Sequence, residues 1–199
     1  WGAGNHGSPG QNNRTQYNSP VQVGTDTTWS TIGGGYDMMA SIKTDGTLWV
    51  WGGNYNGQLG LNQSAGPSPA TLELSSPTQV PGTTWLAISN LERHCIATKT
   101  DGTLWSWGYN PSGQLGQNDT VQYSSPTQIP GTTWNSAHGE MTGPGTKSAA
   151  IKTDGTLWAW GNNTNGQLGQ NNEVKYSSPV QVPGTSWNQV GGDFMVKLV

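Results

Sequence analysis

The 199-residue chain contains few of the residues that cross-link small domains, bind nucleic acid or cross membranes. Its one cysteine, Cys95, excludes a disulfide within the chain. Only 10% of the residues are charged and the net charge is -3, so we expect no nucleic-acid partner. No apolar run approaches the roughly 20 residues that a membrane-spanning helix needs, so we expect no membrane insertion. The 30 glycines and 12 prolines instead indicate a turn-rich, all-β chain.

One nine-residue pattern, TDGTLWxWG, occurs three times, at 44–52, 100–108 and 153–161. Asp-Gly between alternating apolar segments is a strong hairpin signal, because a type I′ turn needs positive φ at both central residues. The pattern therefore predicts three β-hairpins of this type, at Asp45-Gly46, Asp101-Gly102 and Asp154-Gly155. After the first turn, Leu48 and Val50 alternate with Trp49 and Trp51, so both faces of the strand are apolar and must be covered.

Further elements recur between these hairpins in a constant order. Trp-Gly returns at steps of 50, 56 and 53 residues, followed by a glycine loop, a Ser-Pro segment, and a turn that ends in tryptophan. The glycine loops read HGSPG, NGQLG, SGQLG and NGQLG, starting at His6, Asn56, Ser112 and Asn165. Four antiparallel strands in each period of about 53 residues make one propeller blade. The expected repeats are approximately 1–50, 51–106, 107–159 and 160–199, with both ends cutting through a blade.

These motifs resemble the regulator of chromosome condensation repeat family. The likeness rests on the Gly-Gln-Leu-Gly loops, the Asp-Gly turn followed by Leu-Trp-x-Trp-Gly, and the segment His94-Cys95-Ile96-Ala97 before the second hairpin. The resemblance implies a seven-bladed β-propeller, whereas this chain is roughly half as long as such a ring requires. We expect it to be part of a longer polypeptide; the alternatives are a ring completed by a second copy and a four-bladed ring.

All eleven tryptophans lie at repeated positions, which leaves none for a singular site. We therefore interpret them as packing residues between blades rather than as platforms for sugars or bases. They are Trp1, Trp51, Trp107 and Trp160 before glycine, Trp49, Trp105 and Trp158 within TLW, and Trp29, Trp85, Trp134 and Trp187 after the turns.

Strands that alternate in direction place the loops on two faces. One, the turn face, carries the TDG turns and the turns before Trp29, Trp85, Trp134 and Trp187, and is nearly identical from repeat to repeat. The other, the link face, carries the glycine loops and the links after Ile32, Ile88, Ala137 and Val190, and its links vary. Variable loops on a rigid scaffold are typical recognition sites. The predicted contacts are Tyr36, Tyr55, Arg93, Tyr109, Glu140, Met141 and Phe194.

The sequence offers no recognisable catalytic or metal-binding constellation. His6, His94 and His138 lie in different structural contexts, without metal-ligand spacing. Asp45, Asp101 and Asp154 belong to turns, and the other carboxylates are scattered. We expect a non-enzymatic protein without cofactor or metal.

The predicted function is a structural or interaction module that binds a protein or a surface glycan through the link face. Low charge and abundant polar residues suggest a virion appendage, such as a tail fibre or capsid decoration, or a cell-surface protein, and hence an extracellular or virion-surface location. The alternatives are a carbohydrate-binding propeller and, as one branch of the family implies, a guanine nucleotide exchange regulator. The chain is expected to form a homo-oligomer or part of a larger assembly.

Overall fold

The computed structural model describes residues 1–35, 37–63, 73–90, 93–139, 146–191 and 194–196. Fourteen β-strands are defined within these ranges, and no helix is. They are β1 Trp29–Gly34, β2 Met38–Lys43, β3 Leu48–Gly52, β4 Leu74–Gln79, β5 Trp85–Asn90, β6 His94–Lys99, β7 Leu104–Gly108, β8 Tyr123–Ile129, β9 Trp134–Gly139, β10 Lys147–Lys152, β11 Leu157–Gly161, β12 Tyr176–Gln181, β13 Gln189–Gly191 and β14 Phe194–Val196.

The strands form three four-stranded antiparallel sheets and one two-stranded sheet. We call the four-stranded sheets blade 1 (β1–β4), blade 2 (β5–β8) and blade 3 (β9–β12); in each, spatial order follows chain order. The Ser-Pro strand is the last strand and therefore an edge strand, as its proline predicts. This arrangement confirms the predicted β-propeller blades.

Successive blades pack face to face. The first strand of each blade contacts the first two strands of the preceding blade, as β5 does with β1 and β2 and β9 with β5 and β6. Leu48, Val50 and Val80 of blade 1 lie in one buried cluster with Trp85 and Cys95 of blade 2. The core thus lies between blades, which explains why the hairpin strands are apolar on both sides.

The three predicted hairpins are present, but the predicted turn type is wrong. Gly46 has a φ of 78°, whereas Asp45 does not have positive φ. The amide of Gly46 donates to the carbonyl oxygen of Lys43 at 2.9 Å, and that of Lys43 donates to Thr47 at 2.9 Å. This is the three-residue hairpin in which glycine follows the turn in the left-handed conformation. Asp45 instead accepts hydrogen bonds from the amide and the hydroxyl of Thr47, at 3.0 and 2.6 Å.

The glycine loop of each blade packs on the next blade. Gly57 has a φ of 74°, and a Cβ there would lie 2.7 Å from Cα of Ser124 in blade 2. The indole nitrogen of Trp107 in blade 2 donates to the carbonyl oxygen of Gln58 at 2.8 Å, and Trp160 in blade 3 repeats this bond to Gln114 at 2.8 Å. Tryptophans of this class therefore join neighbouring blades, as predicted.

Tryptophans of the other two classes also contact each other within a blade. In blade 2 the ring of Trp85 lies edge-on to Trp105 and Trp107, at centroid distances of 6.1 and 6.0 Å. Nζ of Lys99 lies 4.5 Å from the Trp85 ring centroid and 4.3 Å from that of Trp105, a cation–π arrangement. Blades 1 and 3 repeat the trio. Trp85 and Trp134 also lie in buried clusters that join successive blades, in agreement with the predicted packing between blades.

Candidate functional site

A polar cavity of about 270 Å³ opens on the link face where blade 1 meets blade 2. It is lined by His6, Asp37, Tyr55, Asn56, Gln58 and Arg93. Three successive repeats contribute to it. His6 comes from the first glycine loop and Arg93 comes from blade 2. The other four residues come from blade 1 and the glycine loop that follows it. We call this cavity the junction pocket.

A hydrogen-bonded cluster forms one wall of the junction pocket. The hydroxyl of Tyr55 donates to Oε1 of Glu73 at 2.6 Å, and Nδ1 of His6 lies 2.7 Å from the same oxygen. A guanidinium nitrogen of Arg14 lies 2.9 Å from Oε2 of Glu73, which makes an ion pair. Nε2 of His6 lies 3.5 Å from Oδ1 of Asp37. The cluster fixes loops from two repeats against each other.

The cost of burying the Glu73 carboxylate is offset by its interaction partners. Its side chain is only 5% exposed, and burial alone would raise the pKa of the carboxyl. Hydrogen bonds from Tyr55 and His6 and the charge of Arg14 outweigh burial and lower the pKa. The hydrogen bond to Glu73, with burial and nearby carboxylates, raises the pKa of Tyr55 to about 12. Glu73 is therefore held as a carboxylate and Tyr55 as a neutral donor.

The backbone that carries Asp37 and Arg93 is the same in both blades, while the side chains differ. Asp37 and Arg93 each precede the second strand of their blade, and their carbonyl oxygens accept from the amides of Gly53 at 2.7 Å and Tyr109 at 2.9 Å. Thr146 has this role in blade 3. The scaffold thus places opposite charges at two equivalent positions around one cavity.

Two of the seven predicted contacts, Tyr55 and Arg93, line the junction pocket. A third, Tyr109, lies beside it, with its ring centroid 5.9 Å from the guanidinium carbon of Arg93. Tyr36, Glu140 and Met141 lie outside the described residues. The backbone of Phe194 begins β14, and its side chain is outside the described part.

Sequence reasoning missed His6, Asp37, Asn56, Gln58 and Glu73 as site residues. A signal for two of them was present. His6 stands where the other glycine loops have asparagine or serine, and Glu73 lies in a longer loop: Ser75 follows Gly60 by 15 positions, whereas Ser124 follows Gly116 by 8. Departures from the repeat therefore mark the site better than residue type does.

A second cavity, of about 320 Å³, lies on the open face of blade 1 and is mainly apolar. Ile32 in its lining is 73% exposed. Ile88, at the same position in blade 2, packs against the buried cluster shared with blade 1. This cavity corresponds to a blade-packing surface, so it is not a candidate site.

Other site types find little support in the described part of the chain. Within it, no group of three or more His, Cys, Asp and Glu residues is arranged to hold a metal ion. Burial raises the pKa of the Cys95 thiol, as expected of a structural cysteine. Ten of the eleven tryptophans are buried or half-buried, while Trp1 is 75% exposed. No helix suited to crossing a membrane occurs in the described ranges.

Comparison with known proteins agrees with the geometry. The family model for the regulator of chromosome condensation (RCC1) repeat matches residues 45–95, 101–137 and 154–192. The ultraviolet-B receptor UVR8 of Arabidopsis thaliana is 30% identical over 151 residues, which cover 76% of this chain and 33% of that protein. The human X-linked retinitis pigmentosa GTPase regulator is 30% identical over 149 residues, 74% of this chain and 14% of that protein.

Among solved structures, Prp20p from Saccharomyces cerevisiae superposes with a TM-score of 0.77 at 18% identity. The superposition covers 93% of this chain and 46% of Prp20p, whose structure is described together with its binding to Gsp1p and histones. At this identity the similarity supports the fold alone. The chain spans a third or less of the length of the two curated relatives named above.

Proposed function

The chain belongs to the regulator of chromosome condensation repeat family, whose β-propellers are protein-interaction modules, and we propose that it binds a protein partner through the link face, with the junction pocket at the centre of the contact. The observation that carries this proposal is the convergence of residues that break the repeat. His6, Asp37, Tyr55, Glu73 and Arg93 come from four different connections and meet around one cavity.

Packing needs do not account for this convergence. At the junction of blades 2 and 3, the position of Tyr55 is taken by Pro111, that of Asn56 by Ser112 and that of Arg93 by Thr146. That junction keeps the bond from tryptophan to the glutamine carbonyl, so the contact between blades does not require Tyr55, Asn56 or Arg93 at these positions. The residues at these positions of the first junction can therefore serve recognition.

Photo-crosslinking from the two faces tests the proposal. A benzoylphenylalanine at Tyr109, on the link face, is expected to crosslink to a partner in extracts of the source organism. The same residue at Thr100, which is exposed on the turn face, is expected not to. The captured protein is then purified, and its affinity is measured with wild-type chain and with Arg93→Glu. Binding that persists in Arg93→Glu, or crosslinks from Thr100 alone, would contradict the proposal.

Guanine nucleotide exchange is the second candidate, favoured by the 30% identity to a protein named as a GTPase regulator. The net charge of -3 favours a protein surface over chromatin for this chain. The assay measures release of a fluorescent nucleotide from a small GTPase with and without the propeller. Acceleration that Arg93→Glu removes would support this activity, and an unchanged release rate would exclude it for that GTPase.

The same proposal places the protein on a virion or cell surface, where it is part of a larger assembly. Its support is compositional: few charges and many amide and hydroxyl side chains. Mass spectrometry of purified virions and of surface-shaved cells from the source tests this location. Recovery of the chain from the cell interior alone would contradict it.

A further inference from the structure

The imidazole of His6 has a carboxylate oxygen near each of its nitrogens. Oε1 of Glu73 lies 2.7 Å from Nδ1 and Oδ1 of Asp37 lies 3.5 Å from Nε2. The hydroxyl of Tyr55 also lies 2.9 Å from Nδ1, but it donates to Glu73 at 2.6 Å. In neutral His6 the one ring proton therefore lies on Nδ1, where it is donated to the Glu73 carboxylate.

This tautomer leaves two acceptors facing each other. Nε2 of neutral His6 has only a lone pair, and the Asp37 carboxylate accepts only. The two side chains are 28% and 21% exposed, and both line the junction pocket. Such a pair is satisfied by a proton on Nε2 or by an external donor, which is either water or an N–H group of a ligand.

The other charges around His6 restrict what this donor can be. Arg14 neutralises Glu73, at 2.9 Å, so Asp37 provides the net negative charge on this wall. Arg93 lines the cavity as well and lies near Tyr109 of blade 2, so it disfavours a cation on its own side. A cationic donor is thus directed to the wall formed by His6 and Asp37.

Resting on the proposed function, we propose that His6 and Asp37 bind the guanidinium or ammonium group of a partner's arginine or lysine, and that a proton on His6 competes for the same place. The ligand donates N–H to Nε2 of His6 and to the Asp37 carboxylate. Protonated His6 donates to Asp37 itself and repels the ligand. A basic segment therefore binds more strongly when His6 is neutral than when it is protonated.

The test uses acetyl-Gly-Arg-Gly-amide as the probe and its isosteric, uncharged citrulline analogue as the control. Nuclear magnetic resonance follows the ring signals of His6 in the whole chain at about pH 8 and about pH 5. The arginine peptide is expected to shift the His6 signals at the higher pH only, and the citrulline peptide at neither. Equal shifts with both peptides, or shifts that do not depend on pH, would overturn the proposal.

Three variants refine the result. Asp37→Asn removes the charge and is expected to weaken the arginine peptide about tenfold, the loss of a hydrogen bond to a charged group. Arg93→Gln removes a like charge from the opposite wall and is expected to strengthen it a few fold. Glu173→Gln makes the same charge change as Asp37→Asn on an exposed loop of blade 3 and is expected to leave affinity unchanged.

The outcomes separate this inference from the proposed function. A partner that crosslinks from Tyr109 and requires Arg93, with no binding of the arginine peptide, leaves the protein-binding function standing and removes the cation site. If the arginine peptide binds in a pH-dependent way but crosslinks are confined to the turn face, the cation site stands and the proposed function is removed. Variants that lose the native spectrum are replaced by His6→Asn, the residue that the next glycine loop has at Asn56. Peptide binding is then followed through the ring signals of Tyr55, and the pH dependence is expected to be lost.

Discussion

The junction of blades 1 and 2 and the junction of blades 2 and 3 are built on the same backbone but end differently on the link face. Each has a tryptophan whose indole donates to the glutamine carbonyl of the preceding glycine loop, Trp107 to Gln58 and Trp160 to Gln114, both at 2.8 Å. The first carries Asp37 and Arg93 around an open cavity, at positions that Arg93 and Thr146 hold at the second. The comparison teaches that one set of atoms holds the blades together, while another set, which varies between the junctions, forms the proposed recognition site.

The largest expected effect concerns the shared part of both junctions. Trp107→Ala and Trp160→Ala each remove a fully buried indole and its hydrogen bond. We expect each to lower the free energy of unfolding by about 3–5 kcal/mol, as for other buried tryptophans. Urea denaturation followed by circular dichroism measures this. A loss below about 1 kcal/mol at either position would break the equivalence of the two junctions.

A second effect concerns a buried donor that the junctions do not share. The Ser148 hydroxyl donates to Gln114 at 2.9 Å and lies 3.0 Å from Nε2 of His94, whereas Cys95, at the same position in blade 2, lies 3.4 Å from the Gln58 carbonyl oxygen. Ser148→Ala should cost about 2 kcal/mol because it leaves buried polar groups without this partner. Cys95→Ser should change stability by less than about 1 kcal/mol. Equal losses in thermal denaturation would contradict this difference.

A smaller effect distinguishes Tyr55 from Tyr109, both of which were predicted from sequence to be contact residues on the link face. Tyr55→Phe removes the donor to Glu73, and we expect a loss of about 1–2 kcal/mol, because the acceptor is charged and buried. Tyr109→Phe keeps the ring beside Arg93 and should cost less than about 0.5 kcal/mol. Absorbance titration of Tyr55→Phe should also lack the phenol that ionises at about pH 12 in the wild type. Loss of this late step in Tyr109→Phe instead would show that the late-ionising phenol is Tyr109 and would contradict the account.

The smallest effect is a pH dependence specific to the first junction. The pKa of Glu73 is lower in the folded chain than its ordinary value of 4.5, so ionised Glu73 stabilises the fold above that value. This contribution is lost as the pH falls through the lowered pKa. Stability measured from about pH 7 to about pH 3 should therefore fall less steeply in Glu73→Gln than in the wild type. An identical slope would show that the charge of Glu73 adds nothing.

Most of the fold was predictable from sequence because the same turn and strand signals occur in several repeats. The three TDG hairpins, the edge position of the Ser-Pro strand and the two faces of the propeller follow from residue pattern alone. The turn type did not, because glycine after the turn gives the same sequence signal as glycine within it. The local pairing of Asp45 with Thr47 decides between the two.

The site was only partly predictable. Tyr55 and Arg93 were predicted because they are large polar residues in loops that vary between repeats. That they lie close to His6 and Glu73 could not be predicted, because it depends on which loops the packing of successive repeats brings together. Tyr55 and Tyr109 look alike in sequence, yet Tyr55 points into a charged cluster and Tyr109 packs beside Arg93. Alignment of the repeats would have shown His6 and the longer loop before Ser75 as departures.

Crosslinking at equivalent positions of the two junctions tests the central claim most directly. Asn56 lines the junction pocket, and Ser112 holds the same place at the junction of blades 2 and 3. With a benzoylphenylalanine at each in turn, the partner should be captured from position 56 in far higher yield than from position 112. Equal yields, or a higher yield from position 112, would contradict the claim that the departures from the repeat at the first junction form the binding site.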